Sequence, residues 1–113
     1  MTVRLAHLSD IHFGGENGPA VAAATQMLNA QAFDLVVVTG ALTRYTEAAE
    51  FEAAAAWLKQ VEAPTLVTPG NHDAPYLAWA ERVFAPFRRY ERAIGPAPAQ
   101  VYLAGEFAVR GLN

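Results

Sequence analysis

Asp10 and His12 stand two residues apart and bring together a carboxylate and an imidazole, a donor pair that suits Mn, Fe or Zn better than Ca or Mg. On an extended backbone, side chains at i and i+2 project to one side, so both could meet a single cation. A capping aspartate next to an ordinary surface histidine is the competing reading. A second cluster follows at Gly70, Asn71, His72 and Asp73. Gly70 permits close backbone approach, Asn71 offers a neutral oxygen ligand, and His72 beside Asp73 pairs a proton donor with a carboxylate that holds its charged form. Taken alone, His72 reads equally as a hydrogen-bonded structural histidine. The chain has no cysteine, and His7 is its one remaining histidine. Thiolate nucleophiles, disulfides and Cys-based zinc sites are therefore excluded, and any metal must rest on His, Asp, Glu or Asn.

The elements that must position these residues follow from the hydrophobic pattern. Residues 3–11 read as a strand that runs into a loop carrying Gly14, Gly15 and Gly18. Pro19 suits the first turn of a helix, and Val21, Ala24 and Leu28 recur at helical spacing to about residue 32. Leu35, Val36, Val37 and Val38 form an unbroken run, as expected of a strand buried on both faces of a parallel sheet. Thr46 is the expected N-cap of a second helix, with Glu47 and Glu50 in its first turn. Phe51, Ala54, Ala55 and Leu58 mark its buried face to about Val61. Thr65, Leu66, Val67 and Thr68 make a third strand, stopped by Pro69 and Gly70. The order βαβαβ predicts parallel strands joined by right-handed crossovers. Beyond it the pattern gives an irregular helical region over residues 75–93, then two short strands about a turn at Gly105 and Glu106. All the chemical clusters, including Thr39 and Gly40, fall at carboxyl ends of expected parallel strands, the edge where α/β sheets form their ligand crevices.

Composition narrows the function. The 113 residues are 53% hydrophobic and 17% charged, which fits one core-forming domain, and no apolar run is long enough to span a membrane. Soluble, cytoplasmic location is the expectation. A net charge of -3 argues against a broad nucleic-acid footprint. Between residues 82 and 92, Arg82, Arg88, Arg89 and Arg92 interleave with Phe84, Phe87 and Tyr90, a mixture that reads as a solvated helix surface or as a site for an anionic partner. The Gly14–Gly18 loop reads as a surface connection or as a cover over a substrate phosphate, and Arg44 stands close enough to the crevice to meet a phosphate oxygen. A Rossmann module would need Gly-x-Gly-x-x-Gly directly after the first strand, and a P-loop needs a phosphate-loop lysine. The chain offers neither, its only lysine being Lys59 in the second helix.

Strand-Asp10-Ile11-His12, strand-Gly40-Ala41-Leu42-Thr43 and strand-Gly70-Asn71-His72-Asp73, in this order, resemble the calcineurin-like metallophosphoesterase superfamily, most of all its bacterial cyclic-nucleotide-phosphodiesterase-like branch. The resemblance implies a four-layer α/β/β/α sandwich, of which residues 1–113 would be the N-terminal βαβαβ half, a truncated part of a single domain. It implies a binuclear centre of two divalent transition-metal ions (Mn, Fe or Zn), with Asp10, His12 and Asn71 as metal ligands. His72 would act on the leaving oxygen, oriented by Asp73, and Asn71 would contact substrate; Arg44, placed by its proximity to the crevice and not by the resemblance, reads as a substrate contact or as a surface salt bridge. The implied chemistry is hydrolysis of a small phosphodiester or phosphomonoester, with a metal-bound hydroxide attacking phosphorus in line.

Two departures qualify this. The family carries an aspartate that bridges both metals where this chain has Ala41, and it completes its site with later histidines, whereas none follows His72. Without the shared carboxylate, holding two cations close together costs much more, so weak or single-metal binding and strongly reduced turnover are expected. The chain would then be part of a longer hydrolase, a degenerate module that binds a phosphate ester or a protein, or one half of a site completed by another chain. Apolar surface left uncovered by a missing half would favour marginal stability or homo-oligomer formation.

Overall fold

A computed structural model describes residues 2–70, 73–74, 87–95, 101–104 and 107–111. In chain order the elements are β1 (Leu5–Ser9), α1 (Gly18–Ala30), β2 (Leu35–Thr39), α2 (Ala48–Gln60), β3 (Thr65–Thr68), α3 (Arg88–Ala93), β4 (Val101–Ala104) and β5 (Phe107–Arg110). The first three strands form one parallel sheet in the order β1-β2-β3, pairing Leu5 with Leu35 and Val36 with Thr65 at its start. β4 and β5 make a separate antiparallel hairpin, as their pattern predicts, and the turn residues 105–106 lie outside the described set. This is the mixed α/β architecture expected of the N-terminal half of a metallophosphoesterase fold.

Strand order and handedness settle where the helices go. Two right-handed crossovers that advance in the same direction place both helices on one face of the sheet. The core on that face joins Val36, Val38 and Val67 to Leu28 of α1 and to Phe51, Ala54 and Trp57 of α2. On the other face Leu35 of β2 and Leu66 of β3 are buried, at 0% and 3% exposure, while Val37 is half-buried, so that face of β2 is covered only in part. Beside them on the edge strand, Leu5 is 49% exposed. Among the described residues no helix is long and apolar enough to cross a membrane.

Local structure departs from expectation at three places. β1 stops at Ser9 rather than running to residue 11, because Asp10 takes a left-handed conformation with φ 58°. α1 begins as expected, with Pro19 in its first turn and the Asn17 side chain accepting the Ala20 N–H, but ends at Ala30. Thr46 does not cap α2. The N-cap is Glu47, which makes no side-chain bond, while the Thr46 hydroxyl donates to the Tyr45 carbonyl. Thr46 holds left-handed backbone, φ 59°, rather than the extended backbone of an N-cap, which Glu47 adopts at φ -70° and ψ 146°. Sequence periodicity also misses Trp57, which is buried and ties the two helices together by donating from Nε1 to Thr25 Oγ1 at 2.8 Å. Of the arginine-rich stretch, residues 82–86 lie outside the described set. In the remainder Tyr90 is buried while Arg88, Arg89 and Arg92 are exposed, the pattern of a solvated helix surface.

Candidate metal centre

The ends of the three parallel strands are stitched together beyond the sheet. Asp10 N–H donates to the Gly40 carbonyl, His12 N–H to Ala41, Phe13 N–H to Leu42, and Arg44 N–H back to Phe13. Gly40 N–H donates to the Thr68 carbonyl at 2.7 Å. The loop after β1 and the loop after β2 thus run side by side as an irregular ladder, with β3 attached to the other flank. Asp10, His12 and Ala41 all adopt left-handed backbone, φ 58°, 56° and 54°. Such angles are uncommon outside glycine and store strain, which concentrates at functional sites.

This geometry changes the reason Asp10 and His12 meet. They lie past the strand, so pleated alternation does not align them. The turn does: His12 Nε2 and Asp10 Oδ1 are 3.5 Å apart, with the two side chains 32% and 69% exposed. Two ligands each about 2.0–2.2 Å from one cation stand about 3–3.5 Å from each other, so the pair fits the start of a single metal site. Beside Asp10 opens a cleft of about 260 Å³ walled by Ile11, Asn17, Val21 and Trp57. Among the described residues no group of three His, Cys, Asp or Glu side chains gathers around a common point. Asn71 and His72 lie outside the described residues. His7 sits on β1, where its Nε2 is 2.7 Å from the Thr39 hydroxyl.

Asp73 occupies the centre of the stitching. It is fully buried, and its two oxygens accept from Thr43 N–H at 2.8 Å, Gly70 N–H at 2.9 Å, Leu42 N–H at 3.2 Å and the Thr43 hydroxyl at 3.2 Å. Four donors fill the acceptor sites of a carboxylate. Asp73 therefore locks the loop after β2 to the turn after β3. At the same junction a Cβ on Gly70 would lie 2.6 Å from Ala41 N and 2.9 Å from Gly40 Cα, both backbone atoms. Gly70→Ala is expected to force the two loops apart and cost about 1–3 kcal/mol; chemical denaturation of the variant checks this, and an unchanged midpoint would contradict the close approach.

Arg44 follows Thr43 on the same loop. Its guanidinium lies 4.9 Å from the Tyr45 ring centroid, and its side chain runs along Gly15, where a Cβ would come within 2.9 Å of Arg44 Cδ. The glycine loop after β1 is accordingly packed down on residues 44–50. Two buried groups were not legible as site components. Glu50 reads in the sequence as helix-terminal charge, yet its place in the 50, 54, 57 row of buried α2 residues was a signal of burial. Tyr90 is fully buried, and its hydroxyl has no hydrogen-bond partner among the described residues. Desolvation, reinforced by the charge of Asp73, pushes its phenol far above the ordinary range, so it stays protonated.

The sequence model of the calcineurin-like phosphoesterase family matches residues 3–109. The chain belongs to that family, whose members are metal-dependent phosphoester hydrolases. No curated protein matches it. Among the described residues Asp10 and His12 are the donors that could begin a site for a divalent cation, and Ala41, 3% exposed, carries no ligating atom.

Proposed function

We propose that this chain is the N-terminal part of a cytoplasmic phosphoric ester hydrolase acting on a small phosphodiester or phosphomonoester, with Mn, Fe or Zn as its metal. The observation that carries the proposal is the convergence of Asp10 and His12, 3.5 Å apart, at the carboxyl edge of the sheet, on loops bonded backbone to backbone. Asn71, one residue beyond the Gly70 contact, adds an oxygen ligand. A bound divalent cation supplies Lewis acidity and neutralises charge that develops on the phosphoryl oxygens. The protein supplies the rest: Arg44 takes a phosphate oxygen by a charge-assisted hydrogen bond, and His72 gives a proton to the departing ester oxygen. Resemblance to the cyclic-nucleotide-phosphodiesterase-like branch and a net charge of -3 favour a small substrate such as a cyclic nucleotide or glycerophosphodiester over nucleic acid.

Ala41 supports a second reading, in which the same fold binds a phosphate ester or a protein without turning it over. In either case a second copy or further chain would cover the edge where Leu5 is exposed. The readings separate in an assay of bis(para-nitrophenyl) phosphate with excess Mn²⁺. Hydrolysis by the hydrolase is expected to be slow, Mn²⁺-dependent and at least about tenfold lower in His12→Ala, the loss of a single metal ligand. Mn²⁺ binding with no hydrolysis above background would leave the non-catalytic module.

A further inference from the structure

Four consecutive amides in the loop after β2, those of residues 42–45, end on two carboxylates delivered from other elements. Asp73 takes Leu42 and Thr43, and Oε1 of Glu50 takes Tyr45 at 2.7 Å and Arg44 at 2.9 Å, the Arg44 N–H being shared with the Phe13 carbonyl at 3.1 Å. Glu50 belongs to none of the three motifs. It stands in the first turn of α2 at 8% exposure, a setting that costs a carboxylate its hydration unless hydrogen bonds replace it. The same carboxyl group touches the loop after β1, since a Cβ on Gly14 would lie 2.7 Å from its Cδ and Oε2. One side chain thus fixes the backbone that carries Arg44 and bears on the glycine loop along which the Arg44 side chain runs.

We propose that Glu50 is a positioning residue of the candidate site: it holds Arg44 in the place from which the guanidinium meets a phosphate oxygen. The ligand named here rests on the phosphoester reading; the positioning of the loop does not. The plainer account is that Glu50 merely opposes the macrodipole of α2. That account needs a negative charge in the first helical turn and is indifferent to burial or reach. The positioning account needs an acceptor at the full length of the side chain and is far less sensitive to its charge.

Two near-isosteric variants of the full chain separate these accounts. Glu50→Gln keeps the reach and the Oε1 acceptor but loses the charge, while Glu50→Asp keeps the charge and falls one methylene short. Amide hydrogen exchange is read by NMR at Arg44 and Tyr45, with the β2 amides as an internal measure of global stability. Inorganic phosphate is then titrated into the Mn²⁺-loaded protein. Positioning predicts that Glu50→Asp loses at least about tenfold in protection at Tyr45 and less at Arg44, whose N–H keeps the Phe13 carbonyl, with β2 unchanged, and that Glu50→Gln stays within about threefold of wild type. Phosphate affinity is expected to fall about tenfold in Glu50→Asp and little in Glu50→Gln, with Mn²⁺ affinity the same in all three. The opposite ranking, or equal protection and phosphate affinity in wild type and Glu50→Asp, would overturn the proposal. Should wild type bind no Mn²⁺, the phosphoester reading fails by itself and the exchange measurement still decides Glu50.

Discussion

Ala41→Asp is expected to melt below wild type without metal and well above it in Mn²⁺. Position 41 is 3% exposed, so a carboxylate there pays desolvation with no compensating cation. Its backbone is already suited to the change, because φ is 54° and aspartate populates the left-handed region more readily than alanine. Strain relief is the smaller of the two effects, and the metal-free variant loses stability. Added Mn²⁺ reverses this by linkage: a ligand at about 100 times its Kd contributes about 2.7 kcal/mol, which for a domain of this size raises Tm by roughly 10 °C or more. Wild type, in which Asp10 and His12 are proposed to hold a single cation, is expected to shift by less than about 5 °C under the same conditions. Calorimetric titration gives a second check, with about two Mn²⁺ bound per variant chain against one for wild type. Equal Mn²⁺ shifts in the two proteins would mean that position 41 does not face the metal.

Asp73→Ala is expected to cost at least about 3 kcal/mol, because it strands the amides of Leu42, Thr43 and Gly70 in a buried place and each unmet donor costs about 1–3 kcal/mol. A domain of ordinary stability has only about 5–15 kcal/mol to lose. Asp73→Asn keeps one carbonyl oxygen but turns an N–H₂ toward backbone donors, so its loss should lie between wild type and alanine. Urea unfolding measures both, and a loss under about 1 kcal/mol in Asp73→Ala would show that the four short contacts do not organise the junction.

Much of the fold was open to reading because it rests on strong periodicity. The run Leu35 to Val38 specifies a strand, and the spacing of the apolar residues on either side gives two helices, hence βαβαβ. The carboxyl-edge location of Asp10, His12, Gly40 and Gly70 follows from topology alone. The local geometry of the site did not, since three of its residues hold left-handed backbone that only tertiary bonds between adjacent loops sustain. Asp73 accepts from residues about thirty positions earlier and Glu50 from residues five and six positions earlier across a turn, and residue type alone signals neither role. Thr46 shows the same limit at one residue. It has the chemistry of an N-cap, but its backbone is left-handed at φ 59°, and the extended cap conformation falls on Glu47.

The central claim, that the carboxyl edge of this sheet holds a divalent cation at Asp10 and His12, is tested most directly by paramagnetic broadening. Substoichiometric Mn²⁺ is added to isotope-labelled wild type, and the loss of NMR signals is mapped along the chain. Broadening is expected first at residues 10–13 and 40–42, with signals from α1 residues Thr25 to Ala30 retained, and His12→Ala should abolish the pattern. Broadening centred elsewhere, or an equal pattern in His12→Ala, would contradict the account.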